Sequence, residues 1–104
     1  MKKLNFSPLE MLVLNMLSQK EMYGYEMLEY LKNKTDGEFD IKAGTLYPVL
    51  HGLESDGCIE SRSQTVENGR IRKFYAITEI GIARLKKAKK EWNVFCTAVD
   101  KSLG

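Results

Sequence analysis

A short hairpin that directly follows a helix is the feature that most restricts how this chain can fold. Residues 58–65 and 70–77 have strand character, and the four residues between them end in Asn68-Gly69. An Asn-Gly pair supplies the positive φ angles of a tight turn. The helix pattern before the hairpin ends at Gly57, a residue suited to a left-handed stop. We therefore expect a helix, a sharp stop and then a two-stranded hairpin.

Three helix patterns precede the hairpin and one follows it. The first begins at Ser7-Pro8-Leu9-Glu10, which offers a capping serine and a proline at the first helical position. Later helices are expected to begin at about residues 24, 43 and 79, the last behind the cap residue Thr78. The order ααα-ββ-α is mostly α with a β-hairpin. It predicts a winged helix-turn-helix of three helices and a two-stranded wing, followed by a long C-terminal helix.

The division of the chain follows from this order. We expect one compact unit, in which residues 1–78 form the winged helix-turn-helix and residues 79–104 form the long helix. Apolar residues on that helix step by three and four, the spacing of a dimer seam. The expected interface of a homodimer consists of Leu85, Ala88, Trp92, Phe95 and Val99.

Positive charge is concentrated in one part of the chain. The net charge of the whole chain is only +2, but residues 62–90 contain nine lysines and arginines and two acidic residues. A local surplus of this kind indicates a surface that binds a polyanion. For the lysines at 86–90, a solvated helix face is an equally good interpretation.

The third helix and the hairpin tip carry the side chains expected to meet double-stranded operator DNA. Leu46, Val49, Leu50 and Leu53 form the inner stripe of this helix, which leaves its polar and small residues outside. Backbone amides at a helix start and cations at a turn both favour phosphate. The predicted DNA-binding residues are Lys42, Thr45, Tyr47, Pro48, His51, Gly69, Arg70, Arg72 and Lys73. The alternatives are an ordinary amphipathic helix with Tyr47 half-buried and a merely solubilising loop.

Trp92 is the only tryptophan and lies within the seam of the last helix. Two copies meeting there could leave an aromatic-lined cavity for a flat ligand. The predicted ligand-binding residues are Trp92, Phe95, Cys96 and Val99. The alternative is that Trp92 only packs the dimer interface.

Several classes of function have little support. His51 is the only histidine, and no catalytic or phosphate-cradling motif occurs, so we expect no enzyme, cofactor or metal site. Cys58 and Cys96 are expected to be reduced core residues. No apolar run is long enough to span a membrane, and no export signal follows Lys2 and Lys3, so we expect a cytoplasmic protein.

Four motifs together resemble the PadR-like transcriptional regulators, in particular the short subgroup with a single C-terminal helix. These motifs are Tyr23-Gly24-Tyr25-Glu26, Gly44-Thr45-Leu46-Tyr47-Pro48, Leu53-Glu54-Ser55-Asp56-Gly57 and the stretch from Gly69 to Thr78. The resemblance implies a dimeric winged-helix repressor in which Thr45, Tyr47 and the wing cations face operator DNA. It also implies that a tryptophan at the place of Trp92 sandwiches planar hydrophobic compounds in one branch, while other branches respond to phenolic acids.

The chain departs from the family pattern at three places. Lys42 stands where a serine or asparagine cap is common, His51-Gly52 replaces a pair that usually includes a cation, and Cys58 replaces a leucine. These departures concern the operator sequence rather than the class. The sequence thus predicts a sequence-specific DNA-binding transcriptional regulator, a ligand-responsive repressor that acts as a homodimer on a palindromic operator. The alternative is a winged-helix module for protein–protein contact without DNA binding.

Overall fold

The computed structural model describes residues 7–104. Lys2 and Lys3, on which the expected absence of an export signal depends, lie outside this part of the chain. The helices are α1 (Pro8–Leu17), α2 (Gly24–Lys34), α3 (Ala43–Ser55) and α4 (Glu79–Leu103). The strands are β1 (Met22–Tyr23), β2 (Ile59–Thr65) and β3 (Ile71–Ile77), with a short 3₁₀ turn at Glu67–Gly69. We call the β2–β3 hairpin, residues 59–77, the wing.

The helix starts lie where the capping residues predict them. The Ser7 hydroxyl accepts a hydrogen bond from the Glu10 amide at 3.3 Å, and Pro8 occupies the first helical position of α1. The Thr78 hydroxyl does the same for the Gly81 amide at 3.2 Å. The end of α3 at Gly57 is also confirmed, because this glycine has a φ of 76°.

The wing has the predicted turn chemistry, and its strands are one residue shorter at their starts than expected. Asn68 and Gly69 take φ angles of 65° and 77°, and the Val66 amide donates to the Arg70 carbonyl at 2.8 Å to close the turn. Positive φ at two successive positions is what an Asn-Gly pair allows.

The wing has two strands, as predicted, but the sheet contains a third strand that was not predicted: its order is β1-β3-β2, all antiparallel. In β1, Met22 pairs with Tyr75 and Tyr23 with Phe74. A strand of two residues has no alternation to detect in the sequence. Tyr23 consequently has two roles, as the last residue of β1 and as the N-cap of α2.

The core lies between α1, α2, α3 and the inner face of the sheet. It is made of the buried residues Val13, Leu14, Met16, Leu17, Met22, Met27, Leu31, Leu46, Leu50, Leu53, Cys58, Ile59, Tyr75 and Leu85. Leu46, Leu50 and Leu53 are the inner stripe of α3 predicted from its periodicity. Their burial turns the opposite face of α3 toward solvent.

A tight corner, Gly57–Cys58, joins α3, the wing and α4. The Cys58 amide donates to the Leu53 carbonyl at 2.9 Å, and the Cys58 carbonyl accepts from the Thr78 amide at 3.0 Å. The Thr78 hydroxyl donates to the Gly57 carbonyl at 2.6 Å. This corner therefore fixes where the wing and α4 leave the end of α3.

Together these elements form a winged helix-turn-helix fold with a long C-terminal helix, as expected. Within residues 7–104, no helix combines the length and the apolar character needed to cross a lipid bilayer.

The tight packing at the corner predicts that a side chain at position 81 destabilises the fold, because the Cα of Gly81 lies directly against the corner. A Cβ at this position would collide with the Cys58 carbonyl oxygen and lie 2.7 Å from Cγ1 of Ile77. We expect Gly81→Ala to lower the free energy of unfolding by about 1–3 kcal/mol, the usual cost of overpacking. Urea denaturation followed by circular dichroism measures this change.

Gly52→Ala is the matched control, because Gly52 is exposed within α3 and a Cβ there meets no atom within 4 Å. This variant should gain about 0.5–1 kcal/mol from the higher helix propensity of alanine. Equal stabilities for the two variants would contradict the tight packing at the corner.

Candidate nucleic-acid interface

The outward face of α3 is made of small and polar side chains. Gly44, Pro48, His51 and Ser55 recur at intervals of four, three and four residues, so they share one side of the helix. All four are exposed. Gly44 and Gly52 have open space where a Cβ would lie. Another molecule can therefore approach the backbone of this face closely.

Thr45 and Lys42 extend this surface at the start of α3. Thr45 is exposed on one flank of the helix, and Lys42 is its N-cap residue. The Lys42 ammonium lies 3.5 Å from the Asp40 carboxylate, but its side chain remains 80% exposed. An ion pair this exposed contributes little and gives way easily to another anion.

Tyr47 lies on the other flank of α3 and is 40% exposed. Its ring covers Gly24, the first residue of α2: a Cβ there would collide with the Tyr47 hydroxyl and lie 2.7 Å from Cζ. The glycine of the Tyr23-Gly24-Tyr25 motif is thus explained by the close approach of this ring. The hydroxyl lies at the N-terminus of α2, next to the outward face of α3.

The three predicted wing cations do not form one group. Arg70 is exposed beside the turn. Arg72 lies on the outer face of the sheet, with its guanidinium 4.7 Å from the centre of the Tyr23 ring. That ring also makes an edge contact with Phe74. Stacking on Tyr23 holds Arg72 in place, as a cation–π contact does.

Lys73 lies on the opposite face of the sheet, the one that packs toward α3. Its ammonium lies 3.8 Å from the Glu54 carboxylate and 5.6 Å from the centre of the Tyr75 ring. Glu54 also accepts a hydrogen bond from the Ser61 hydroxyl at 2.5 Å. Burial raises the pKa of Tyr75, with a further contribution from Glu54.

Part of the basic segment is neutralised within the protein. Arg84 contacts Asp56 at 2.9 Å and Glu10 at 3.4 Å, and its hydrogen bond with Asp56 raises the pKa of the guanidinium. Arg62 contacts Glu21 at 2.9 Å. These arginines connect elements of the fold. The surplus of charge from residue 62 to residue 90 is therefore a less direct sign of a binding surface than the sequence suggested.

The sequence did not predict the roles of some residues at this surface. Ile71 is 73% exposed beside Arg70, where a large apolar side chain contributes nothing to the core. Tyr23 and Glu54, which hold Arg72 and Lys73, act across elements that are distant in sequence. Strand alternation does predict that Ile71 and Lys73 share one face of β3 and that Arg70 and Arg72 share the other.

The predicted seam of α4 is divided by the structure. Leu85 is buried in the core of its own chain, so it is not on a free surface. Further along, Ala88, Trp92, Phe95, Cys96 and Val99 are half-buried. The Trp92 and Phe95 rings lie 6.0 Å apart, tilted by 32°. A shallow groove between α1 and α4 is lined by Met11, Leu12, Asn15, Lys89, Trp92 and Asn93.

The cysteines and the acidic residues offer no metal site in residues 7–104. No group of three or more histidine, cysteine, aspartate or glutamate side chains is arranged there to hold an ion. Cys58 is fully buried, and burial raises the pKa of its thiol. Both Cys58 and Cys96 are free thiols.

Comparison with known proteins agrees with this architecture. A transcriptional regulator from Clostridium thermocellum is 33% identical, with a TM-score of 0.83, over 88% of this chain and 89% of the other. A PadR family transcription regulator from Clostridium difficile is 30% identical, with a TM-score of 0.80, over 94% and 100%. Bacillus subtilis PadR, solved in complex with operator DNA, is 26% identical, with a TM-score of 0.70, over 77% and 45%. The model of the Transcriptional regulator PadR-like family matches residues 13–87, and the chain belongs to this family of transcriptional regulators.

Proposed function

We propose that this regulator binds double-stranded operator DNA with the outward face of α3 in the major groove and the wing against neighbouring phosphates. The observation that carries the proposal is that small and polar residues alone occupy the centre of this face, and the exposed Arg70 at the wing tip adds a cation suited to phosphate. The likeness to a PadR protein solved with operator DNA supports it.

The chemistry of each side chain determines which part of the DNA it is suited to contact. Thr45 and His51 can hydrogen-bond base edges, and the open backbone at Gly44 allows the helix to lie deep in the groove. Lys42, Arg70 and Arg72 are suited to phosphates, which position the protein without reading sequence. Pro48 and the exposed Ile71 can contact apolar groups, such as sugars and thymine methyls.

The rival function, a winged helix used only for protein contact, requires an apolar outer surface on α3. Among the described residues, the large exposed apolar side chains are Tyr25, Phe39, Tyr47, Ile71, Ile80, Ile82, Val94 and Leu103. Of these only Tyr47 lies on α3, and its ring covers Gly24 at the start of α2. The composition of this face therefore favours DNA, and a cytoplasmic location is part of the same proposal.

DNA binding should depend steeply on salt if phosphates supply much of the affinity. A dimer with about six phosphate contacts should lose more than a hundredfold in affinity between about 50 and 200 mM salt. Fluorescence anisotropy with duplexes from upstream of its own gene measures this loss.

Arg70→Ala should reduce the slope of log affinity against log salt by about 0.9 per subunit.

Lys101→Ala is the matched control for that variant, because Lys101 is an exposed cation in the last turn of α4, distant from the wing in the chain. It should leave the slope unchanged. Weak binding that does not respond to salt would count against DNA binding, and an unchanged slope for Arg70→Ala would remove the wing tip from the interface.

We further propose a homodimer formed by the second half of α4. Phe95, Cys96 and Val99 lie on one side of α4, beyond the part of the helix that reaches the core at Leu85. A twofold pairing of these faces would set two α3 helices about 34 Å apart, one turn of DNA, and so match a palindromic operator.

Val99→Glu should convert the dimer to a monomer, because it would put a charge in the centre of the pairing face. Thr97→Glu is the control, since Thr97 lies on the opposite side of α4 and is exposed. Sedimentation velocity at micromolar concentration should find a dimer for Thr97→Glu and a monomer for Val99→Glu. Equal masses for the two variants would place the interface elsewhere.

The remaining part of the proposal is a repressor that responds to a planar hydrophobic or phenolic effector bound near Trp92. The groove between α1 and α4 has Trp92 and Met11 in its walls and adjoins the proposed dimer face. A ligand there can change operator affinity if it binds more tightly to one spacing of the two α3 helices than to another.

Titration with planar aromatic compounds tests this effector site directly. Trp92 is the only tryptophan, so its fluorescence reports on this groove alone. We expect saturable quenching by planar compounds and none by aliphatic compounds of similar size, together with weaker binding to DNA. Unchanged fluorescence across the panel would assign Trp92 to packing.

A further inference from the structure

Glu54 connects α3 to both strands of the wing. It lies in the last turn of α3, and its side chain is one-third exposed. One carboxylate oxygen accepts the hydrogen bond of the Ser61 hydroxyl on β2 at 2.5 Å. The other lies 3.8 Å from the Lys73 ammonium on β3. A single side chain of α3 therefore contacts the two strands near the base of the hairpin.

These contacts lie where the wing leaves the core. Ile59 at the start of β2 and Tyr75 on β3 are buried, whereas residues 62–65 and 69–71 are exposed. Apart from the stacking of Arg72 on Tyr23, the outer half of the wing thus has little packing of its own to direct it. Its orientation relative to α3 depends on the buried base and on the contacts made there.

Small rotations at the base become large displacements at the turn. Thr65 is four residues beyond Ser61, which corresponds to about 13 Å along an extended strand. A rotation of about 10° at Ser61 would therefore move the turn by about 2 Å, given the strand rise of about 3.3 Å per residue. A hydrogen bond to a phosphate tolerates only a few tenths of an ångström.

We propose that Glu54 is a positioning residue for DNA binding: it sets the angle between α3 and the wing so that Arg70 reaches a phosphate while α3 occupies the major groove. This inference rests on the proposed function. Glu54 itself carries the wrong charge to contact DNA, so its contribution acts through Ser61 and Lys73. The Lys73 ammonium lies at the inner face of the wing, 3.8 Å from the Glu54 carboxylate.

A double-mutant cycle between Glu54 and Arg70 tests this role, because no contact between their side chains is required for the effect. The four proteins are the unmodified chain, Glu54→Ala, Arg70→Ala and the double variant. Each is titrated with the duplex from upstream of its own gene at several salt concentrations. For a dimer, Arg70→Ala should lower the salt slope by about 1.8, since each lost contact removes about 0.9.

Glu54→Ala alone should lower the slope by a similar amount, and Arg70→Ala should add less than half of its usual effect in that background. The same effect of Arg70→Ala in both backgrounds would overturn the proposal. A role of Glu54 in stability alone would lower the melting temperature and leave the contribution of Arg70 intact. Failure of the unmodified chain to bind any duplex would instead count against the proposed function.

Glu60→Ala is the matched control, because Glu60 is an exposed glutamate on β2 directly before Ser61 and points to the other face of the sheet. It removes the same charge, so the general gain in affinity from losing an acidic residue is common to both variants. The contribution of Arg70 should be unchanged in Glu60→Ala. If Glu54→Ala does not fold, Ser61→Ala, which removes only the hydroxyl, enters the same cycle with the same two opposing outcomes.

Discussion

The close contact at the Gly57–Cys58 corner is the constraint on which the rest of this structure depends. One carbonyl, that of Cys58, accepts the Thr78 amide and has the Cα of Gly81 packed against it. Three elements, α3, β2 and α4, begin or end within a few residues of this point. Because hydrogen bonds and packing fix the corner, the helix proposed to enter DNA and the wing proposed to flank it have a defined relation.

The proposed DNA-binding surface consists of residues that the core does not bury. Leu46, Leu50 and Leu53 of α3 are buried, so small and polar residues remain on the outer face. The wing carries its cations in different ways: Arg72 is stacked on Tyr23, Lys73 is paired with Glu54, and Arg70 is exposed at the turn. A preordered surface of this kind loses less conformational freedom when a duplex binds.

Local chemistry explains how much of this could be predicted from the sequence. Ser7, Thr78, Gly57 and Asn68-Gly69 act within a few residues of themselves, so helix boundaries and the turn were predictable to about one residue. The strand β1 was missed because two residues show no period. The heptad spacing of α4 could not reveal that Leu85 packs in its own chain, since a seam looks the same whether it meets the core or a partner.

The candidate site was predictable as a set of residues but not as an arrangement. Alternation placed Arg72 and Lys73 on opposite faces of β3, yet no local pattern shows which face turns toward α3. In the sequence Glu54 cannot be told from an ordinary surface glutamate. Only the fold brings it to Ser61 and Lys73. The central claim, that one duplex contacts both α3 and the wing tip, is tested most directly by NMR, through amide shifts on adding operator DNA. The account predicts the largest shifts at residues 42–51 and 66–72; shifts confined to α2 or α4 would contradict it.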